Sequence, residues 1–127
     1  MAAAAALGDA ITGVALWSAG PTPYDPGDVD ANEWNEESGE RVRMRFWIEA
    51  GATDVLGCYA RATVPVYMVF GTGDHLIPEQ DVRRVTAAAK PRDRVRVIEG
   101  MAHSAWTFEQ RTEILAETAE FLVGALT

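Results

Sequence analysis

The hydrophobic and polar positions change their spacing several times along the chain, and each change predicts an element. Ala2 to Leu7 combines high helix propensity with little bulk and reads as the tail of a helix, broken at Gly8 and Asp9. Ile11 to Trp17 is a short apolar run followed by the turn residues Ser18, Gly20 and Pro21, which predicts a buried strand. Arg41 to Ile48 supports two readings. Val42, Met44, Phe46 and Ile48 alternate with arginines as a strand would, whereas the flanking glutamates and Gly51 favour a helix, the reading preferred here. Ala52 to Ala60 is helical, with Val55, Leu56 and Tyr59 on one side.

The second half is more regular. Val64 to Phe70 (VPVYMVF) is apolar at every position, as a central parallel strand buried on both faces requires. Pro65 lies near its start, where a missing N–H is tolerated. Pro78 to Ala89 predicts a helix, with Pro78 in the first turn and Val82, Val85 and Ala89 on one face. Val95 to Ile98 is a short strand. Thr107 to Leu126 is a long helix whose stripe is Ile114, Leu115, Thr118, Phe121, Leu122 and Ala125. Thr107 and Gln110 have capping-box spacing at its start. Strands alternating with helices predict an α/β fold, with a sheet of about three parallel strands flanked by helices.

Between the first strand and the helices, Gly20 to Gly39 lacks any such period. Pro21, Pro23, Pro26 and Gly27 break it, and seven carboxylates fall within residues 25–40. This predicts an exposed loop or flap with Trp34 as its large apolar residue. The whole chain has a formal net charge of -8, which repels nucleic acid phosphates and anionic membrane surfaces and argues against both as partners. No apolar run approaches the roughly 20 residues that span a bilayer. Met1 to Leu7 lacks the basic start of a signal peptide, and Cys58 is the only cysteine, so a cytoplasmic location is expected.

Two loops leave the C-terminal ends of the last two strands, the edge at which open parallel sheets bind ligands. Gly71 to Pro78 carries Asp74, and Glu99 to Trp106 carries His103. Taken singly, Asp74 after Gly-Thr-Gly fits a turn or cap, and His103 fits a structural histidine. Taken together, a carboxylate beside an imidazole can fix its tautomer and stabilise the imidazolium, as a general base requires. A strand of the form VPVYMVFGTGD before a Pro-led helix resembles the acid strand of the α/β-hydrolase family. A short strand followed by EGMAHSAW and a long helix resembles that family's histidine loop. The order, acid before histidine, matches as well.

The resemblance covers Val64 to Thr127, about half of the chain, and extends more weakly to Ala2–Leu7 and ITGVALWSAGPTP, similar to the helix after the nucleophile and the strand that follows it. It implies that Asp74 is the triad acid and His103 the triad base. Trp106, Met101 and Leu76, from the same loops, are candidate pocket residues. Residues 21–60 would then be a flap or cap remnant and 64–127 the acid and histidine segment of one domain, 1–127. No G-x-S-x-G elbow is present, and Ser18, Ser38 and Ser104 do not sit in one.

Three functional expectations follow. The chain is the C-terminal part of a hydrolase for esters or related bonds, completed by an N-terminal part and otherwise inactive. Alternatively, it is a non-catalytic module that oligomerises or binds a complementing chain through the open strand edge of Ile11–Trp17. Or Asp74 and His103 activate water without a serine. A metal site of Asp74, His75 and His103 lacks helical HxxxH spacing, and no cofactor is expected. Ser104 fits a helix cap, and Arg41, Arg43 and Arg45 a solvated face balanced by nearby glutamates. The substrate is not legible, since ester, amide, lactone, epoxide and C–C cleavage all occur on such a scaffold.

Overall fold

The computed structural model describes residues 6–7, 10–21, 27–35 and 41–126. Its elements are β1 (Val14–Trp17), β2 (Trp34–Asn35), β3 (Val42–Arg43), α1 (Met44–Gly51), α2 (Val55–Arg61), β4 (Val66–Gly71), α3 (Glu79–Ala87), β5 (Arg94–Ile98) and α4 (Phe108–Gly124). β1, β4 and β5 form a parallel sheet with β4 in the centre. Val14 pairs with Val66, and Tyr67 with Arg94.

All six residues of β4 are buried. The pleat sends them alternately to two cores. Val66, Met68 and Phe70 meet Tyr59 of α2, Val85 of α3 and Ile77. Tyr67 and Val69 meet Ile114 of α4 and Met101. Each such side chain contributes on the order of 1.5–3 kcal/mol by leaving water. The helices α2 and α3 therefore cover one face, and α4 the other.

The predicted start of the long helix is observed in detail. Thr107 accepts from the Gln110 N–H and Gln110 caps the Thr107 N–H in return. The stripe needs one correction. Ile114 and Thr118 are buried, but Leu115 is 50% exposed because its position has rotated past the sheet. The ambiguous stretch Arg41 to Ile48 divides: Val42–Arg43 pairs antiparallel with Trp34–Asn35, and the helix starts at Met44. The β2 strand interrupts a stretch expected to be loop. The guanidinium groups of Arg41 and Arg43 lie 4.3 and 3.9 Å from the centre of the Trp34 ring, so two of the three arginines cover an indole instead of simply facing solvent. Residues 1–5 and 8–9 of the expected helix tail, and 22–26 and 36–40 of the expected flap, lie outside the described residues; Ala6 and Leu7 are helical.

Two polar clusters tie the sheet to its helices. At one end, the Asp93 carboxylate accepts from the backbone N–H groups of Val66 and Lys90 and from the Tyr59 hydroxyl. On the other face, Glu117 of α4 accepts from the Arg96 guanidinium and the Tyr67 hydroxyl, while Arg96 also reaches Glu113 at 2.7 Å. Burial, then the hydrogen bond to Glu117, pushes the Tyr67 phenol up to about 12. The hydrogen bond from Arg96 holds the Glu117 carboxyl below its usual value of 4.5. A carboxyl with a lower pKa in the folded state stabilises the fold above its unfolded value, and that gain disappears as the pH falls through the folded one. Glu117→Gln should therefore lower stability at pH 7 by about 1–2 kcal/mol and flatten its decline between about pH 5 and pH 3. Urea unfolding across that range checks this, and an unchanged pH dependence would count against it.

Candidate functional site

Asp74 and His103 reach one place because two loops are fastened to each other above neighbouring strands. The Thr72 N–H donates to the Ile98 carbonyl at 3.0 Å, and the Gly73 N–H to the Met101 carbonyl at 3.1 Å. The Gly100 N–H donates to the Thr72 hydroxyl at 2.8 Å. Such an approach leaves no room for side chains at the glycines. A Cβ at Gly71 would lie 1.9 Å from the Met101 carbonyl oxygen, and one at Gly73 2.9 Å from that of Gly100. Gly100 itself has a φ of 68°, which starts the turn that presents the histidine.

Asp74 is a buried carboxylate with defined partners. Its Oδ1 accepts from the N–H groups of Leu76 at 2.9 Å and Ile77 at 3.3 Å. Its Oδ2 lies 2.9 Å from His103 Nδ1. The Asp74 side chain is fully shielded from solvent, while that of His103 is 41% exposed. This places the carboxylate behind the ring, where it orients Nδ1–H and leaves Nε2 with its lone pair for a substrate proton. The geometry suits an oriented general base.

His103 borders a hollow of about 360 Å³ lined by Trp17, Ser104, Trp106, Arg111 and Leu115. Trp17 and Trp106 pack edge to face with centroids 5.7 Å apart. Their N–H groups are already used, Trp17 by the Thr118 hydroxyl at 3.1 Å and Trp106 by the Ala102 carbonyl at 2.8 Å. A larger cavity of about 590 Å³ runs along α3 and Val97 and touches Asp74, but His103 does not line it, so the hollow beside the imidazole is the one relevant to chemistry.

Of the three pocket candidates, Trp106 lines this hollow. Met101 does not: it is fully buried in the core beneath α4, because its carbonyl and side chain serve the contact between the loops. Leu76 is 73% exposed and is not among the residues lining either cavity. His75 is exposed. Trp17, a tryptophan whose sequence fits core and pocket alike, ends β1, and Arg111, which carries no site signal in the sequence, lies one turn into α4; only the packing of α4 on the sheet brings them together. Among the described residues, no group of three His, Cys, Asp or Glu side chains could hold a metal ion.

Neither Ser18 nor Ser104 hydrogen-bonds His103. Ser18 follows β1 directly with a φ of 48°, a conformation uncommon outside glycine. Its hydroxyl is buried without a hydrogen-bond partner among the described residues.

No protein-family model and no curated protein sequence matches the chain. Solved structures do. Est1E from Butyrivibrio proteoclasticus superposes with a TM-score of 0.71 at 18% identity, over 98% of this chain and 55% of that one. Est1E with ferulic acid bound gives 0.70 at 18% identity, over 96% and 54%. The α/β-hydrolase GrgF from Penicillium sp. sh18 gives 0.54 at 20% identity, over 65% and 29%. This chain thus spans about half the length of the Est1E structures it matches. At such identities the likeness speaks for architecture, and by architecture the chain has part of the α/β-hydrolase fold.

Proposed function

We propose that Asp74 and His103 are the acid and base of a hydrolase site for esters or related bonds, completed by a serine from outside the residues of this sequence. The observation that carries this reading is the 2.9 Å contact between His103 Nδ1 and a fully shielded Asp74. In the reaction, His103 Nε2 takes the serine proton as the serine oxygen attacks the carbonyl, then gives it to the departing alkoxide. Water hydrolyses the acyl intermediate by the same proton path. The missing parts are the nucleophile and the oxyanion donors. β1 is an edge of the sheet among the described residues, and a strand from the completing polypeptide fits along it. A cytoplasmic setting belongs to this reading, in keeping with Cys58, which is buried and unpaired in a disulfide.

One of the Est1E structures holds ferulic acid, so carboxylic esters are the first substrates to assay. The test is hydrolysis of p-nitrophenyl acetate by this chain alone and with a G-x-S-x-G polypeptide encoded next to it. We expect activity only with both, lost in His103→Ala. Equal rates with wild type and His103→Ala would refute the assignment.

The same open β1 edge favours a second reading, a non-catalytic module that pairs with a copy of itself. Light scattering separates the two: this reading requires a homodimer or larger oligomer, and a monodisperse monomer rejects it.

A further inference from the structure

The hollow beside His103 has an unusual division of labour among its walls. Trp17 and Trp106 have both committed their N–H groups elsewhere, so they offer a ligand only apolar ring surface. Leu115 adds a further apolar wall. Polar recognition is left to His103, Ser104 and Arg111. The guanidinium of Arg111 makes no ion pair or side-chain hydrogen bond among the described residues. Arg83, Arg84, Arg94 and Arg96, by contrast, all pair with carboxylates. In a chain with a formal net charge of -8, an arginine without a carboxylate partner at the rim of an apolar hollow is a place where an anion gains and a neutral ligand does not. The volume, about 360 Å³, falls at the lower end of the roughly 300–1,000 Å³ typical of small-molecule sites, which admits one compact molecule.

We infer that this hollow binds a small carboxylate with a flat apolar body, the body against the apolar wall of Trp17, Trp106 and Leu115 and the carboxylate on Arg111. The inference rests on the hydrolase reading for its consequence: the preferred substrate keeps a free carboxylate away from its scissile bond, or the acid product is retained. Binding itself needs no nucleophile.

Calorimetric titration with 3-phenylpropanoate and its neutral amide, 3-phenylpropanamide, tests it. We expect the carboxylate to bind about five- to tenfold tighter than the amide, since an exposed arginine gives a modest charge-assisted contact. Arg111→Gln should remove that preference while leaving amide binding as it was, and Arg111→Lys should keep part of it. Arg111 is exposed, so these variants fold normally. Equal affinities in wild type, an undiminished preference in Arg111→Gln, or no binding of either probe would overturn the inference. Its failure with His103-dependent hydrolysis intact leaves the hydrolase reading standing. A preserved charge preference without such hydrolysis rejects the hydrolase reading alone.

Discussion

In the proposed hydrolase, Asp74→Asn is expected to reduce His103-dependent hydrolysis by about 10⁴-fold while leaving the chain folded. The reason lies in how the two carboxylate oxygens are used. Oδ1 accepts from the Leu76 and Ile77 N–H groups, and an asparagine carbonyl can do the same. Oδ2 faces His103 Nδ1 at 2.9 Å, and the asparagine amide would put an N–H there. A donor facing a donor is unfavourable, so the imidazole would move its proton to Nε2 and present the lone pair at Nδ1. The nitrogen facing the substrate would then carry a proton and could not accept one. ¹⁵N chemical shifts of the His103 ring report this tautomer directly and need no completing polypeptide. Wild type should show the proton on Nδ1, and Asp74→Asn on Nε2. The same tautomer in both proteins would mean that Asp74 does not orient the base.

A second substitution should act on the scaffold with comparable force. Gly71→Ala would push a Cβ to 1.9 Å from the Met101 carbonyl oxygen, a backbone atom that no rotamer change can move. Relief requires separating the two loops, which breaks the Gly73 to Met101 and Thr72 to Ile98 hydrogen bonds and moves Asp74 away from His103. A loss of ~3 kcal/mol or more is expected, a large share of the roughly 5–15 kcal/mol that holds a domain together. Gly124→Ala is the control. Its Cβ would meet nothing within 4 Å, and it ends α4, so it should be neutral or stabilise by up to ~1 kcal/mol. Urea midpoints measured side by side decide the matter. A Gly71→Ala midpoint close to that of wild type would show that the loops do not depend on this contact.

Both expectations concern features at the border between what the sequence reveals and what it conceals. The strand β4, the start of α4 and the chemical character of Asp74 and His103 were legible because near neighbours decide them. Six consecutive buried positions make a two-faced core strand, and the Thr107–Gln110 pair satisfies N–H groups within a single turn. The Gly-Thr-Gly stretch was visible, but its meaning was not, since the atoms that forbid side chains there belong to Gly100 and Met101, about 30 residues on. The same distance in sequence hid the role of Met101. An apolar residue two positions before the histidine reads equally well as pocket or core, and only the seating of α4 against β4 puts it in the core.

The division of Arg41 to Ile48 follows the same logic. Alternation and flanking glutamates pulled in opposite directions, and the pairing of Val42–Arg43 with Trp34–Asn35 chose strand for the first two residues before the helix began. The sequence by itself determined the parallel α/β order, the loops bearing acid and histidine, and the absence of a G-x-S-x-G elbow, because composition, period and caps act over a few residues. Only the tertiary structure decided that Asp74 Oδ2 meets His103 Nδ1, that Trp17 and Arg111 share a hollow with His103, and that Met101 does not. Those outcomes depend on which strands lie side by side and how α4 crosses them, and contacts of that kind are set by packing over the whole chain.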